Sequence, residues 1–198
     1  MQHYKQTTYY TSGPSSLLMV LNHFNPDIKL NRESEFDIWL KSAVLPTRGS
    51  SIFALATIAH REGIKTKVVV GNIKYKFPNY RFRGYKLVEV REASYTSRVY
   101  YKRALKAGLG VEERDFSLED VKMLLAKGKI LLLRLDLGVM EEREHAVNYV
   151  LVTGYSNSKF EIMDPSSERI FVQEKEIKEA FDNVITKRKR DHRMIVFG

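Results

Sequence analysis

The sequence predicts an α+β fold in which helices come first and pack on a mainly antiparallel sheet. In the first third, Leu17, Leu18, Leu21 and Phe24 recur with the helical period and form one apolar stripe. In the last third, short segments rich in β-branched and aromatic residues are separated by turn residues, which is typical of antiparallel strands. This order of helices and then strands is an α+β arrangement.

Three helices and one strand are expected in the first third. Serines stand where helix N-caps are needed, and the segment PTRGSS at 46–51 interrupts the helical pattern. Gly63 is a typical helix stop. The first expected helix runs from Ser12 or Ser15 to about His23, the second covers 33–44, and the third runs from Ser50 or Ser51 to Gly63. A buried strand is expected over 66–71.

The middle of the chain, about 72–116, has the least regular pattern. The run YKFPNYRFRGYKLVEV at 75–90 alternates aromatic and basic residues, which fits either a hairpin or a loop. A helix over 91–108 and a short strand over 110–114 are expected after it. Ser117 and Asp120 then have the spacing of a capping box, which predicts a helix that ends at Gly128.

The remaining residues are expected to form the sheet. The strand segments are 129–137, 145–155, 159–165, 169–173 and 192–198, with a helix over 174–183. The chain has 198 residues, which favours one domain over its whole length. We divide this domain into a helical part of about 1–65, a variable middle of about 72–116 and a sheet part of about 117–198.

The composition excludes several classes of protein and site. The sequence contains no cysteine, which excludes disulfides, thiolate metal sites and a cysteine nucleophile in this chain. No apolar run approaches the length of a membrane span, and the first ten residues do not resemble a signal peptide. We therefore expect a cytoplasmic protein without a membrane partner, and no residue pattern implies a metal or an organic cofactor.

The segment QTTYYTSGPSSLLMVL, from Gln6 to Leu21, has the features of a nucleophile at a helix start. Ser12 stands at the helix N-terminus, where the positive end of the helix dipole stabilises a developing anion. The Gln6 side-chain amide could complete an oxyanion hole, and Tyr10 and Gly13 are candidate substrate-binding residues. A simple helix cap is the alternative interpretation of Ser12.

A serine nucleophile needs a base and a group that orients the base. Of the five histidines, His145 opens a strand, where its side chain can face a cleft, whereas His23 and His60 are interpreted as structural. Asp164 ends the next expected strand. Two antiparallel strands joined by the turn GYSNSK would place His145 beside Asp164, which could then hold the imidazole tautomer.

These three segments resemble the motifs of papain-like cysteine peptidases, in particular the bacteriocin-processing, double-glycine peptidase family and its stand-alone relatives. The resemblance covers QTTYYTSGPSSLLMVL, HAVNYVLVTGY and FEIMDPSS, in the family's order. It implies a papain-like fold with a cleft between a helical layer and a sheet. It also implies an acyl-enzyme mechanism in which Gln6 stabilises the oxyanion, His145 acts as base and then acid, and Asp164 orients His145.

The departure from the family is at the nucleophile, because Ser12 stands where the family has cysteine. A serine hydroxyl is far less acidic than a thiol, and papain-type sites depend on a thiolate–imidazolium pair. Three interpretations follow: an engineered cysteine-to-serine variant of a peptidase, a catalytically inactive protein that still binds peptide, and a true serine enzyme. We favour the first, because Gln6, His145 and Asp164 are all retained.

The net charge of +9 favours anionic partners. We expect part of this charge, through Lys74, Lys76, Arg81 or Arg83, to rim the cleft and to favour an acidic peptide or protein substrate. Basic residues interleaved with aromatic ones are also found on nucleic-acid-binding surfaces. A nucleic-acid-binding protein is therefore the alternative to a peptidase. A solvated edge strand is the simpler interpretation of this run. The sequence indicates no oligomeric state.

Overall fold

The computed structural model describes residues 1–75, 77, 82–138 and 147–198. These residues contain six helices and seven strands. The helices are α1 (Ser12–Phe24), α2 (Arg32–Ser42), α3 (Ile52–Arg61), α4 (Leu87–Lys106), α5 (Leu118–Ala126) and α6 (Glu174–Thr186). The strands are β1 (Thr66–Val70), β2 (Gly110–Glu113), β3 (Ile130–Asp136), β4 (Val147–Ser156), β5 (Lys159–Met163), β6 (Arg169–Gln173) and β7 (Arg193–Phe197).

All seven strands belong to one sheet, in the order β2-β1-β7-β3-β4-β5-β6. The β1–β2 pair is parallel and the other five neighbouring pairs are antiparallel. This architecture confirms the predicted α+β class and its mainly antiparallel sheet. The sheet is wider than the last third of the chain, because β1 and β2 join it from the first two thirds.

Alternate residues of the central strands enter two different hydrophobic cores. Leu132 and Leu151 face a core that contains α1 and α3, whereas Leu131 and Val150 face a core that contains α5 and α6. Because the period of a strand is two, such a sheet buries both of its faces. The N-terminal helices therefore pack on one face as predicted, and α5 and α6 cover the other.

The middle of the chain differs from the predicted hairpin or loop in one respect. Residues 87–90 open α4, and the Lys86 N–H donates to the Glu89 carboxylate at 2.6 Å, which satisfies one of the first amides of the helix. Residues 76 and 78–81 lie outside the described part of the chain. Within the described residues, no helix has both the length and the apolar character that crossing a membrane requires.

Candidate active site

Ser12 lies at the first position of α1, where the helix docks on β4. Ser12 is 8% exposed, and its Oγ accepts a hydrogen bond from the Tyr149 backbone N–H at 3.4 Å. One turn later, the Ser16 hydroxyl donates to the Tyr149 carbonyl at 3.1 Å. The two serines therefore bond the backbone N–H and the backbone carbonyl of Tyr149. Ser12 lies at a helix N-terminus, as predicted.

A cleft of about 780 Å³, counted with its open mouth, extends from this junction. Ser12 and the two predicted substrate-binding residues, Tyr10 and Gly13, line it. The lining also contains four further aromatic side chains outside β4, namely Tyr9, Tyr75, Phe77 and Phe82. A mixed apolar and polar concave surface of this kind is typical of a ligand-binding site.

Asp164 and Gln6 lie at a neighbouring turn and are not among the residues that line the cleft. The Gln6 N–H donates to the Pro165 carbonyl at 2.7 Å. The Asp164 carboxylate is fully buried and accepts hydrogen bonds from the Ser166 backbone at 2.8 Å and from the Ser167 hydroxyl at 3.0 Å. Asp164 directly follows β5, whose Met163 pairs with Leu151 of β4, so this turn lies next to the strand that contacts Ser12.

His145 lies outside the described residues, which resume at Val147. Its assignment as the base, and its orientation by Asp164, therefore stay predictions. Among the described residues of β4, Val147, Asn148 and Tyr149 line the cleft with Ser12. Side chains alternate along a strand, and Asn148 pairs with Leu135, which belongs to the core on the other face of the sheet. The side chain of Asn148 therefore faces away from Ser12, and the side chain of Tyr149 lies on the face of α1.

The charge of the cleft comes from arginines that sequence analysis did not select. Arg134, Arg190 and Arg193 line the cleft, and each is at most 6% exposed. Of the four basic residues expected at its rim, Lys74 and Arg83 are exposed and do not line it, and Lys76 and Arg81 lie outside the described residues. The described lining residues include no Asp or Glu, and Asp191, which does not line the cleft, forms ion pairs with Arg134 and Arg193.

Glu35 of α2 fixes the segment that leads into α1. Its fully buried carboxylate accepts hydrogen bonds from the Tyr4 hydroxyl at 2.9 Å, the Thr7 N–H at 3.0 Å and the Ser15 hydroxyl at 3.0 Å. Burial alone would raise the pKa of Glu35, but hydrogen bonds from Thr11, Thr7 and Tyr4 outweigh it and lower the pKa below 4.5. Both Gln6 and Ser12 lie within the segment that these bonds hold.

Gly13 allows α1 to approach β4 closely. A Cβ on Gly13 would lie 2.9 Å from Leu55 Cδ1 and 3.2 Å from the Tyr149 ring. We expect Gly13→Ala to lower the free energy of unfolding by about 1–3 kcal/mol, because the buried neighbours must move. Urea unfolding followed by circular dichroism measures this. Gly84→Ala is the control, since a Cβ there meets nothing within 4 Å, and equal effects of the two changes would contradict the close packing at Gly13.

Comparison with known proteins assigns the chain to a family. No curated protein matches it. Among solved structures, this chain is similar to a double glycine motif protease from an AMS/PCAT transporter, solved in complex with the leader peptide. The sequence identity is 12% and the TM-score is 0.51, and the match covers 99% of this chain and 90% of that chain. It is also similar to a putative C39-like peptidase from Bacillus anthracis, with 10% identity and a TM-score of 0.56 over 100% and 94%.

Both structural matches have the C39 papain-like fold, which confirms the fold that the sequence resemblance implies. The model of the Peptidase C39 like family matches residues 1–198, the whole length of the sequence. This match confirms the family that the three sequence motifs predicted. The chain is a member of the peptidase C39-like family.

Proposed function

We propose that this protein binds a peptide in the cleft between α1 and β4, beside Ser12. The observation that carries the proposal is the cleft itself, in which a buried serine at a helix N-terminus lies among aromatic side chains and beside the backbone of Tyr149. Aromatic side chains offer apolar contacts to peptide side chains, and the few polar groups fix the orientation of the ligand. Membership of a peptidase family, and a similar protease that was solved with its leader peptide, support a peptide as the ligand.

A substitution that fills the cleft tests peptide binding. Gly49 lines the cleft, and a Cβ at this position meets nothing within 4 Å, so Gly49→Trp adds a large side chain to open space without disturbing the core. We expect Gly49→Trp to weaken the binding of fluorescein-labelled 12-residue peptides at least tenfold, measured by fluorescence anisotropy. Leu105→Trp is the control, because Leu105 is 47% exposed on α4 and does not line the cleft. Unchanged binding by Gly49→Trp would place the peptide elsewhere.

Cleavage or transfer of an amide bond at Ser12 is the second candidate function. It is favoured by the position of Ser12 at the start of α1 and by the anchoring of Gln6 to the turn that contains Asp164. In this mechanism Ser12 attacks the amide carbonyl, Gln6 stabilises the oxyanion, and His145, oriented by Asp164, transfers the proton to the leaving amine. We rank it second, because a serine hydroxyl is a weaker nucleophile than the thiolate of papain-type sites. In addition, the Ser12 oxygen already accepts a hydrogen bond from the Tyr149 N–H at 3.4 Å.

A further inference from the structure

The outward side of α4 combines cations with exposed apolar side chains. An α-helix has 3.6 residues per turn, so residues spaced three or four apart along α4 lie on one side of it. Two of these residues on the solvent side are apolar, with exposed fractions of 55% and 64%, and the other four are exposed cations. We call the following six residues the α4 stripe: Val88, Arg91, Tyr95, Arg98, Lys102 and Lys106.

Two further apolar side chains border the α4 stripe. Leu87 and Leu105 are 67% and 47% exposed, and they directly precede the first and the last residue of the stripe. The opposite side of α4 packs on the core, where Ala93 and Ala104 are fully buried. The exposed apolar side chains of this helix therefore do not contribute to the hydrophobic core, and they lie among cations in water.

The stripe contains no acidic residue. The acidic residues of α4 are Glu89 and Glu92, and both precede Arg98. Glu89 accepts a hydrogen bond from the Lys86 N–H at the start of the helix. Within the described part of the chain, the structure shows no ion pair for any of the four cations of the stripe. Their charges face solvent along the length of α4.

The α4 stripe and the cleft lie on opposite sides of the helix. Ser97 lines the cleft and is 8% exposed. Two residues earlier, Tyr95 points about 200° away around the helix axis. The Tyr100 hydroxyl, on the inward side, donates to the Ala43 carbonyl at 3.1 Å and fixes this orientation of α4. The stripe is therefore a surface separate from the proposed peptide site.

This mixture of side chains fits an anionic membrane surface better than a nucleic acid or a protein. Nucleic-acid phosphates pair with cations but offer Leu87, Val88 and Leu105 no apolar contact. The core of a protein interface is depleted of charge, whereas cations separate Val88 from Tyr95 and Tyr95 from Leu105 along α4. At a bilayer surface, apolar side chains enter the acyl boundary while Lys and Arg contact anionic headgroups.

We propose that α4 docks this protein on an anionic membrane surface, with the helix in the membrane plane and the stripe facing the headgroups. The 20 residues of α4 extend over about 30 Å, so the contacts are spread along the surface. The sequence-based expectation of a protein without a membrane partner rested on the lack of an apolar run long enough to span a bilayer. A helix that lies on the surface needs no such run. Docking by α4 does not depend on the proposed peptide binding.

Cosedimentation with extruded vesicles tests the proposal on the unmodified protein. We expect at least tenfold tighter binding to phosphatidylcholine vesicles that contain about 30% phosphatidylserine than to phosphatidylcholine alone, because anionic lipids attract cations at the surface. Raising the salt from about 0.1 M to about 1 M should remove most of this preference, since the Debye length falls from about 10 Å to about 3 Å. Equal binding to the two kinds of vesicle, or no binding to either, would overturn the proposal without any variant.

Two matched pairs of charge substitutions locate the contact. Arg98→Gln together with Lys102→Gln should weaken binding to the anionic vesicles at least tenfold, because each cation near the surface contributes about fivefold. Lys127→Gln together with Lys175→Gln removes the same net charge from exposed positions at the end of α5 and on α6, over the other face of the sheet. This second pair is expected to change binding less than twofold. Equal losses in the two pairs would mean adsorption by net charge alone and would contradict docking by α4.

An apolar pair of substitutions separates a membrane from a nucleic acid. Tyr95→Ser together with Leu105→Ser keeps every charge of α4 and should weaken binding to the anionic vesicles at least fivefold, because these exposed side chains enter the acyl boundary. Circular dichroism checks that the variants fold. A single-stranded DNA of about 30 nucleotides is the competing ligand in a gel shift. Tighter binding to this DNA than to the anionic vesicles, or vesicle binding that the apolar pair leaves unchanged, would show that the stripe does not dock on a membrane.

Discussion

Replacing Glu35 by alanine is expected to lower the free energy of unfolding by about 3 kcal/mol, because it leaves several buried donors without their acceptor. These donors are the Tyr4 hydroxyl, both the N–H and the hydroxyl of Thr7, and the Ser15 hydroxyl. The loss also frees the segment that leads into α1, so peptide binding in the cleft should weaken together with stability. Chemical unfolding followed by circular dichroism measures the first effect, and peptide anisotropy measures the second.

Glu33→Ala is the matched control for Glu35→Ala. Both glutamates stand in the first turn of α2, where each interacts with the positive end of the helix, but Glu33 is exposed and Glu35 is fully buried. The helix-dipole contribution of a carboxylate is about 0.3–1 kcal/mol, so the control should lose no more than that. Equal losses in the two variants would show that the buried hydrogen bonds contribute nothing beyond the helix dipole.

The same carboxylate makes the stability of the fold depend on pH. The pKa of Glu35 in the folded protein lies below its ordinary value of 4.5, so near that pH the unfolded chain binds more protons than the folded one. The contribution of Glu35 is therefore complete above pH 4.5 and is lost as the pH falls through the lowered folded pKa. The stability difference between the unmodified protein and Glu35→Ala should shrink across that window, whereas a constant difference would exclude ionisation of Glu35 as its cause.

Most helices were predictable because their signals are local. The Ser117 and Asp120 spacing predicted a capping box, and the Ser117 N–H does donate to the Asp120 carboxylate at 2.8 Å. The start of α4 was missed for a physical reason. Leu87 and Val88 are 67% and 55% exposed, so the apolar residues at this helix start do not mark a buried face, and hydrophobic periodicity gives no signal there.

The two halves of the candidate site differed in how far sequence could predict them. Ser12, Gly13 and Tyr10 lie in one short segment whose order is visible in the sequence, and all three line the cleft. The buried arginines of the cleft wall were not predictable, because Arg134 of β3 and Arg193 of β7 share Asp191 only through the insertion of β7 between β1 and β3. The distance between Arg134 and Arg193 along the sequence does not indicate that the two residues lie close together in the fold.

Replacing Ser12 by cysteine is expected to create a thiol whose pKa lies well below the ordinary value of about 8.5. The N-terminus of α1 stabilises a thiolate at this position, and an imidazole from His145 would stabilise it further. A larger thiolate fraction at pH 7 should make the variant react several-fold faster with iodoacetamide than free cysteine does. The measurement is the pH dependence of the alkylation rate, and peptide cleavage by the same variant is its functional counterpart.

Second substitutions in the Ser12→Cys background identify the base. We expect His145→Ala to slow alkylation at neutral pH markedly, because the imidazolium partner of the thiolate is removed. His23→Ala is the control, since His23 is exposed near the end of α1 remote from Ser12. If His145→Ala leaves the alkylation rate unchanged and the new thiol reacts like free cysteine, His145 is not the base. Ser12 would then be a helix cap in a protein that binds peptide without cleaving it.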